Sequence, residues 1–89
     1  MAIVYKYPLK FIKQQVVTIP RDGKIVDIEF QGDDLFMWIL HEPTPYNSTE
    51  KLGIGIFGTG HVINPNTPNH IKTIHKGEFV WHIFEGWNV

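Results

Sequence analysis

Leu52-Gly-Ile-Gly-Ile-Phe-Gly-Thr-Gly-His61 admits two opposed readings, and the choice between them decides the fold. Gly53-Ile-Gly-Ile-Phe-Gly58 matches the G-x-G-x-x-G spacing of a dinucleotide-binding turn, which needs a strand before it and a helix opening inside it. Here Leu52, Ile54 and Ile56 alternate with Gly53, Gly55 and Phe57, which is the period of a strand. The glycines therefore lie within a strand, and the dinucleotide reading fails. Glycines at alternate positions bare one strand face to an aromatic ring, a backbone or a ligand, and an aromatic such as Trp81 or Trp38 is the favoured expectation there.

The same alternation recurs along the chain. Ile3, Tyr5, Tyr7 and Leu9 alternate with Val4, Lys6 and Pro8, and Pro8, which cannot donate to a ladder, predicts an edge strand or one that ends there. Val16 to Ile19 is a β-branched run stopped by Pro20. Pro20-Arg-Asp-Gly23 reads as a tight turn in which proline pre-sets φ and Asp-Gly supplies the permissive positions. Val26, Ile28 and Phe30 are expected on one face of the next strand, opposite Asp27 and Glu29. Leu35 to Leu40 and Phe79 to Phe84 are apolar on both faces, and Ile71 to Lys76 forms a short strand between turns. Pro43 to Lys51 and Asn64 to Asn69 read as loops, the first holding the Asn47-Ser48-Thr49 sequon. No window shows sustained helical spacing with a cap. The expectation is an all-β fold: one domain over residues 1–89, a small barrel or sandwich of about six to seven mainly antiparallel strands.

Composition narrows the function. Apolar residues at 43% and aromatics at 13% supply a core and argue against disorder. The absence of cysteine removes disulfides, thiolate metal sites and thiol nucleophiles, and favours an intracellular setting. The N-terminus lacks a signal-peptide pattern, and no run is long and apolar enough to span a membrane. A net charge of −1 disfavours duplex nucleic acid, although Lys6, Lys10 and Lys13 form a modest basic group. Strands apolar on both faces must be covered on both sides, which points to a homo-oligomer over a Trp-bearing sheet face. Loops of the same chain are the alternative cover.

Gly58-Thr-Gly-His61 leaves the strand, and its glycines allow successive N–H groups to converge on an anion. Thr59 and His61 add side-chain donors; a turn with His61 as its cap is the structural alternative. The five histidines show no tight ligand spacing, so no metal or other cofactor is expected. The sole serine, Ser48, has no nucleophile context, and an enzyme is not expected.

Tyr5-Lys6-Tyr7, Ile19-Pro20 with Gly23 and Ile25-Val26, Leu35 to Ile39, Phe57-Gly-Thr-Gly-His61, Ile71 to Ile74 and Phe79-Val-Trp-His-Ile-Phe-Glu85 follow one another in an order that resembles a family of short, mostly uncharacterised proteins of tailed phages and prophages. The resemblance implies a viral origin and action in the host cytoplasm. Small phage proteins of this kind often bind a host component, and one class forms oligomeric sponges for nucleotide immune signals. The expected function is a non-enzymatic, homo-oligomeric binder of a small anionic nucleotide-like ligand. Gly58, Thr59, Gly60, His61, Trp81 and His82 are its expected ligand-binding residues. The alternative is a protein-interaction module, an inhibitor of a host protein or a minor virion component.

Overall fold

The computed structural model describes residues 1–43, 48–63 and 69–86. Seven strands follow in order: β1 Ile3–Leu9, β2 Gln14–Pro20, β3 Lys24–Gln31, β4 Asp34–His41, β5 Thr49–Gly58, β6 His70–Lys76 and β7 Phe79–Glu85. All pairings are antiparallel, and they build two sheets, β1-β4-β3 and β2-β5-β7-β6. The expected all-β class is what the chain adopts, as a sandwich rather than a closed barrel.

Each strand contributes to one core. Leu9, Ile19, Ile28, Leu35, Met37, Ile39, Ile54, Ile56, Ile74 and Ile83 are all buried in a single cluster. Isoleucine dominates because a β-branched side chain is stiff at χ1 and packs well on a pleated surface. Each such burial stabilises by about 1.5–3 kcal/mol before conformational entropy is set against it.

The doubly apolar strands sit inside their sheets: β4 lies between β1 and β3, and β7 between β5 and β6. Phe36, Trp38 and Leu40 on the outer face of β4 are half-buried, with the Lys6 ammonium 4.4 Å from the Phe36 ring centroid. The sequence alternation therefore reports a central position in a sheet, with part of the outer cover supplied by the chain itself. Pro8 lies on β1, an edge strand, as its missing N–H requires.

Three local expectations change. A bulge between Ile25 and Asp27 removes Val26 from the ladder and leaves it 55% exposed, while Ile25 joins the residues packed on the core. One extra residue in a strand flips the facing of everything beyond it. In the turn after β2, Gly23 N–H donates to the Pro20 carbonyl at 3.1 Å, and Asp22 rather than glycine carries the positive φ of 66°. Gly23 is instead required by packing, since a Cβ there would come within 2.8 Å of Ile39 Cγ2. Finally, Thr49 to Lys51, expected in a loop, extend β5 and pair with Pro20 to Thr18. Asn47 of the sequon and residues 64–68 of the second expected loop lie outside the described residues.

One side of the sandwich is laced shut. Lys72 on β6 bonds Asp27 and Glu29 on β3, the latter at 3.2 Å, and Lys76 reaches the Gly32 carbonyl and Asp33 at 2.8 and 3.0 Å. On the other side β1 and β2 each pair on one edge only among the described residues.

Candidate functional site

Gly58-Thr-Gly-His61 folds as a single tight turn at the end of β5. His61 N–H donates to the Gly58 carbonyl at 3.1 Å, and Gly60 at the third position has φ of +89°. A positive φ at that position is the demand of a type II turn and selects glycine. The side chain of His61 folds back over the same turn, where its Nδ1 accepts the Gly58 N–H at 3.1 Å. Two of the four backbone donors are thus used inside the turn.

The Gly58–His61 bond also sets a tautomer. Because Nδ1 is an acceptor, the neutral His61 ring carries its proton on Nε2, which is then a donor. A Cβ on Gly58 would lie 3.1 Å from His61 Cε1 and 3.3 Å from Trp81 Cζ3. Gly58, on the face of β5 that bears Ile54 and Ile56, is therefore the glycine that admits Trp81. The aromatic expected over Gly53 and Gly55 is neither Trp81, which stands on the other face of β5, nor Trp38, which is in the other sheet.

Trp81 and His61 border a groove of about 460 Å³ completed by Phe11, Ile12, Lys13, Ile56 and Val62. Residues 10–13 are shaped by Gln15, whose side chain bonds both the N–H and the carbonyl of Lys10, at 3.0 and 2.6 Å. The Lys13 carbonyl accepts the Ile56 N–H at 2.9 Å, which fixes the far end of that loop against β5. Phe11 stands edge-on to Trp81 at 4.8 Å between centroids and to Phe30 at 5.6 Å, so it forms a braced wall. Neither the Lys13 ammonium nor the Trp81 indole N–H has a partner among the described residues. The side-chain polar groups of the groove are thus Lys13, His61 Nε2–H and Trp81 N–H, all of them donors.

His82 is not part of it. Successive residues of a strand point to opposite faces, so His82 lies behind the sheet from Trp81. There its Nε2 meets Thr59 Oγ1 at 2.9 Å and its Nδ1 meets Thr73 Oγ1 at 3.0 Å, with His70 Nε2 2.9 Å from the same Thr73 oxygen. Both ring nitrogens are occupied, and the Thr59 hydroxyl is turned away from the groove with them. The six expected site residues therefore divide: Gly58, His61 and Trp81 gather at the groove, Gly60 forms the turn beside it, and Thr59 and His82 face the other way. Phe11, Ile12 and Lys13 are the residues the sequence reading missed. The available signal was an apolar pair in a loop beside the basic group. Among the described residues no three histidine or acidic side chains are grouped to hold a metal ion, and no helix is long and apolar enough to cross a membrane.

A β-sandwich with an aromatic, donor-lined groove at the end of one sheet is the class of structure these residues define. Over residues 1–89 the chain belongs to the family described as a domain of unknown function, DUF7352. No curated protein and no solved structure matches it.

Proposed function

We propose that the protein binds, and by binding sequesters, a small anionic nucleotide-like ligand, without chemistry on it. The observation that carries the reading is the composition of the groove: two aromatic rings, Phe11 and Trp81, and only donors among the side-chain polar groups. Aromatic faces stack on a base at about 1–3 kcal/mol per base, and a charge-assisted donor, here Lys13, favours an oxyanion. A single lysine and an imidazole suit a ligand with few charges, in keeping with the near-neutral chain. The resemblance to phage proteins supplies the setting, a phage accessory protein acting on an anti-phage nucleotide signal in the host cytoplasm. A homo-oligomer belongs to the same reading, with the half-buried Phe36 and Trp38 face of β4 as the surface covered.

The test is incubation with a panel of cyclic and linear nucleotide signals, removal of the protein, and heating of the recovered protein to release ligand. Depletion followed by intact release supports the binder. Altered ligand would make it an enzyme. No depletion would favour the competing reading, a protein-interaction module using the outer face of β4, where the Phe36 and Trp38 rings lie 6.2 Å apart.

A further inference from the structure

A larger cleft, about 630 Å³, lies at the opposite end of the sandwich, where the starts of β1 and β5 meet the ends of β2 and β4. It opens on the side not laced by Lys72 and Lys76, between the edge strands β1 and β2. Its chemistry differs from that of the groove. Tyr5 stacks on His41 with centroids 4.5 Å apart and planes 18° from parallel. His41 Nδ1 lies 3.2 Å from the Glu42 carbonyl, an acceptor only, so Nδ1 bears the proton and Nε2 accepts the Tyr7 hydroxyl at 2.9 Å. Burial raises the Tyr7 pKa above its ordinary value, so that hydroxyl stays protonated and keeps the imidazole in place. The ring pair is thereby fixed before any ligand arrives.

Arg21 stands on the other wall and is also pre-oriented. Its Nε donates to Ser48 Oγ at 3.1 Å and its Nη2 to the Thr49 carbonyl at 3.3 Å, and its own backbone N–H donates to the Ser48 carbonyl at 2.9 Å. These bonds use one edge of the guanidinium. The end-on edge, Nη1 with the second Nη2 proton, has no acceptor among the described residues and has the two-pronged geometry that matches a carboxylate. Asp22 and Glu42 also line the cleft; the Glu42 carboxylate is paired with the N-terminal ammonium at 2.8 Å, so Asp22 is the acid that would repel a ligand of high negative charge.

We infer that this cleft is a second ligand site, independent of the groove at Trp81, that takes a small aromatic monocarboxylate. Arg21 holds the carboxylate end-on, and the Tyr5–His41 stack carries the ring. Asp22 disfavours the higher charge of a phosphate at this cleft. Cavities of this size are typical of small-molecule sites, and an aromatic wall with one fixed cation gives orientation as well as attraction.

The probe is sodium benzoate, titrated into isotopically labelled protein while the Arg21 Nε–H, Tyr5, Tyr7 and His41 resonances are followed by NMR. Saturable shifts confined to this end, with the Trp81 indole signal unmoved, are the expected result. Benzyl alcohol, the uncharged relative, is expected to bind at least about tenfold more weakly, as loss of a charge-assisted pair implies. AMP is expected to bind this cleft more weakly than benzoate. Arg21→Gln should lower benzoate affinity about tenfold, and Arg21→Lys should recover only part of it, because the fork is lost while the charge stays. Absence of saturable shifts, equal binding of benzyl alcohol, or stronger binding of AMP at the same resonances overturns the assignment. The comparison of benzoate with benzyl alcohol uses the unaltered protein and so stands even if a variant misfolds.

Discussion

Single atoms decide several features of this molecule, and Gly23 is the sharpest case. With only 2.8 Å between an added Cβ and Ile39 Cγ2, Gly23→Ala must move the core or the turn. A cost of about 1–3 kcal/mol is expected, read as a shift in the urea midpoint at unchanged slope. Gly60 has open space around it among the described residues, so Gly60→Val acts through its φ of +89°. The strain of about 1–2 kcal/mol is expected to displace His61 from the groove while the sandwich stays folded. Capture of a nucleotide ligand should fall in this variant while its far-UV spectrum is unchanged. At this scale the sequence was only partly legible. That Gly58-Thr-Gly-His61 is a turn follows from its glycines, but the return of His61 onto the Gly58 N–H depends on a side-chain torsion that no residue pattern encodes. For the same reason Pro20-Arg-Asp-Gly23 was legible as a turn while the division of labour between Asp22 and Gly23 was not.

Strand identity was the most legible layer, because period-two alternation is a direct imprint of the pleat. It failed at Val26, where the bulge adds a residue and reverses the facing beyond it. The contrast gives a test: Ile28→Ala is expected to cost about 2–5 kcal/mol, whereas Val26→Ala should stay within about 0.5 kcal/mol by urea denaturation. The lacing of β3 to β6 has a pH signature. A hydrogen bond from Lys72 is the main cause of a lowered Asp27 pKa, outweighing the opposite effect of burial. A depressed carboxyl contributes stability that is present above its unfolded pKa of about 4 and is lost as pH falls through the folded value below it. Lys72 is raised, chiefly by the same bond, so its contribution persists at neutral pH and is lost only as pH climbs beyond about 10.4 through its folded value. Both side chains keep substantial exposure, at 30% and 46%, so the effect is small, below about 1 kcal/mol. Lys72→Met is expected to flatten the acid-side slope of stability between about pH 2 and 5. An unchanged slope would show that this lacing contributes nothing.

Over the whole molecule, one core shared by every strand holds two sheets whose ends differ in chemistry. The donor-only groove lies at one end and the Arg21 cleft at the other. The sequence marked His61 and Trp81 individually but could not say that Phe11 and Lys13 join them, since that depends on how the loop after β1 crosses the end of β5. It also grouped His82 with Trp81, neighbours in the chain that the pleat sends to opposite faces. Light scattering at micromolar concentration is expected to give more than one chain per particle, and a clean monomer would remove the oligomer from the proposal. Ligand capture bears most directly on the groove. A nucleotide-signal panel is incubated with the unaltered protein and with Trp81→Ala and Lys13→Ala, and bound material is released by heat. Intact nucleotide from the unaltered protein, reduced about tenfold or more in both variants, is the expected result. No nucleotide from the unaltered protein, or undiminished capture by both variants, would contradict it.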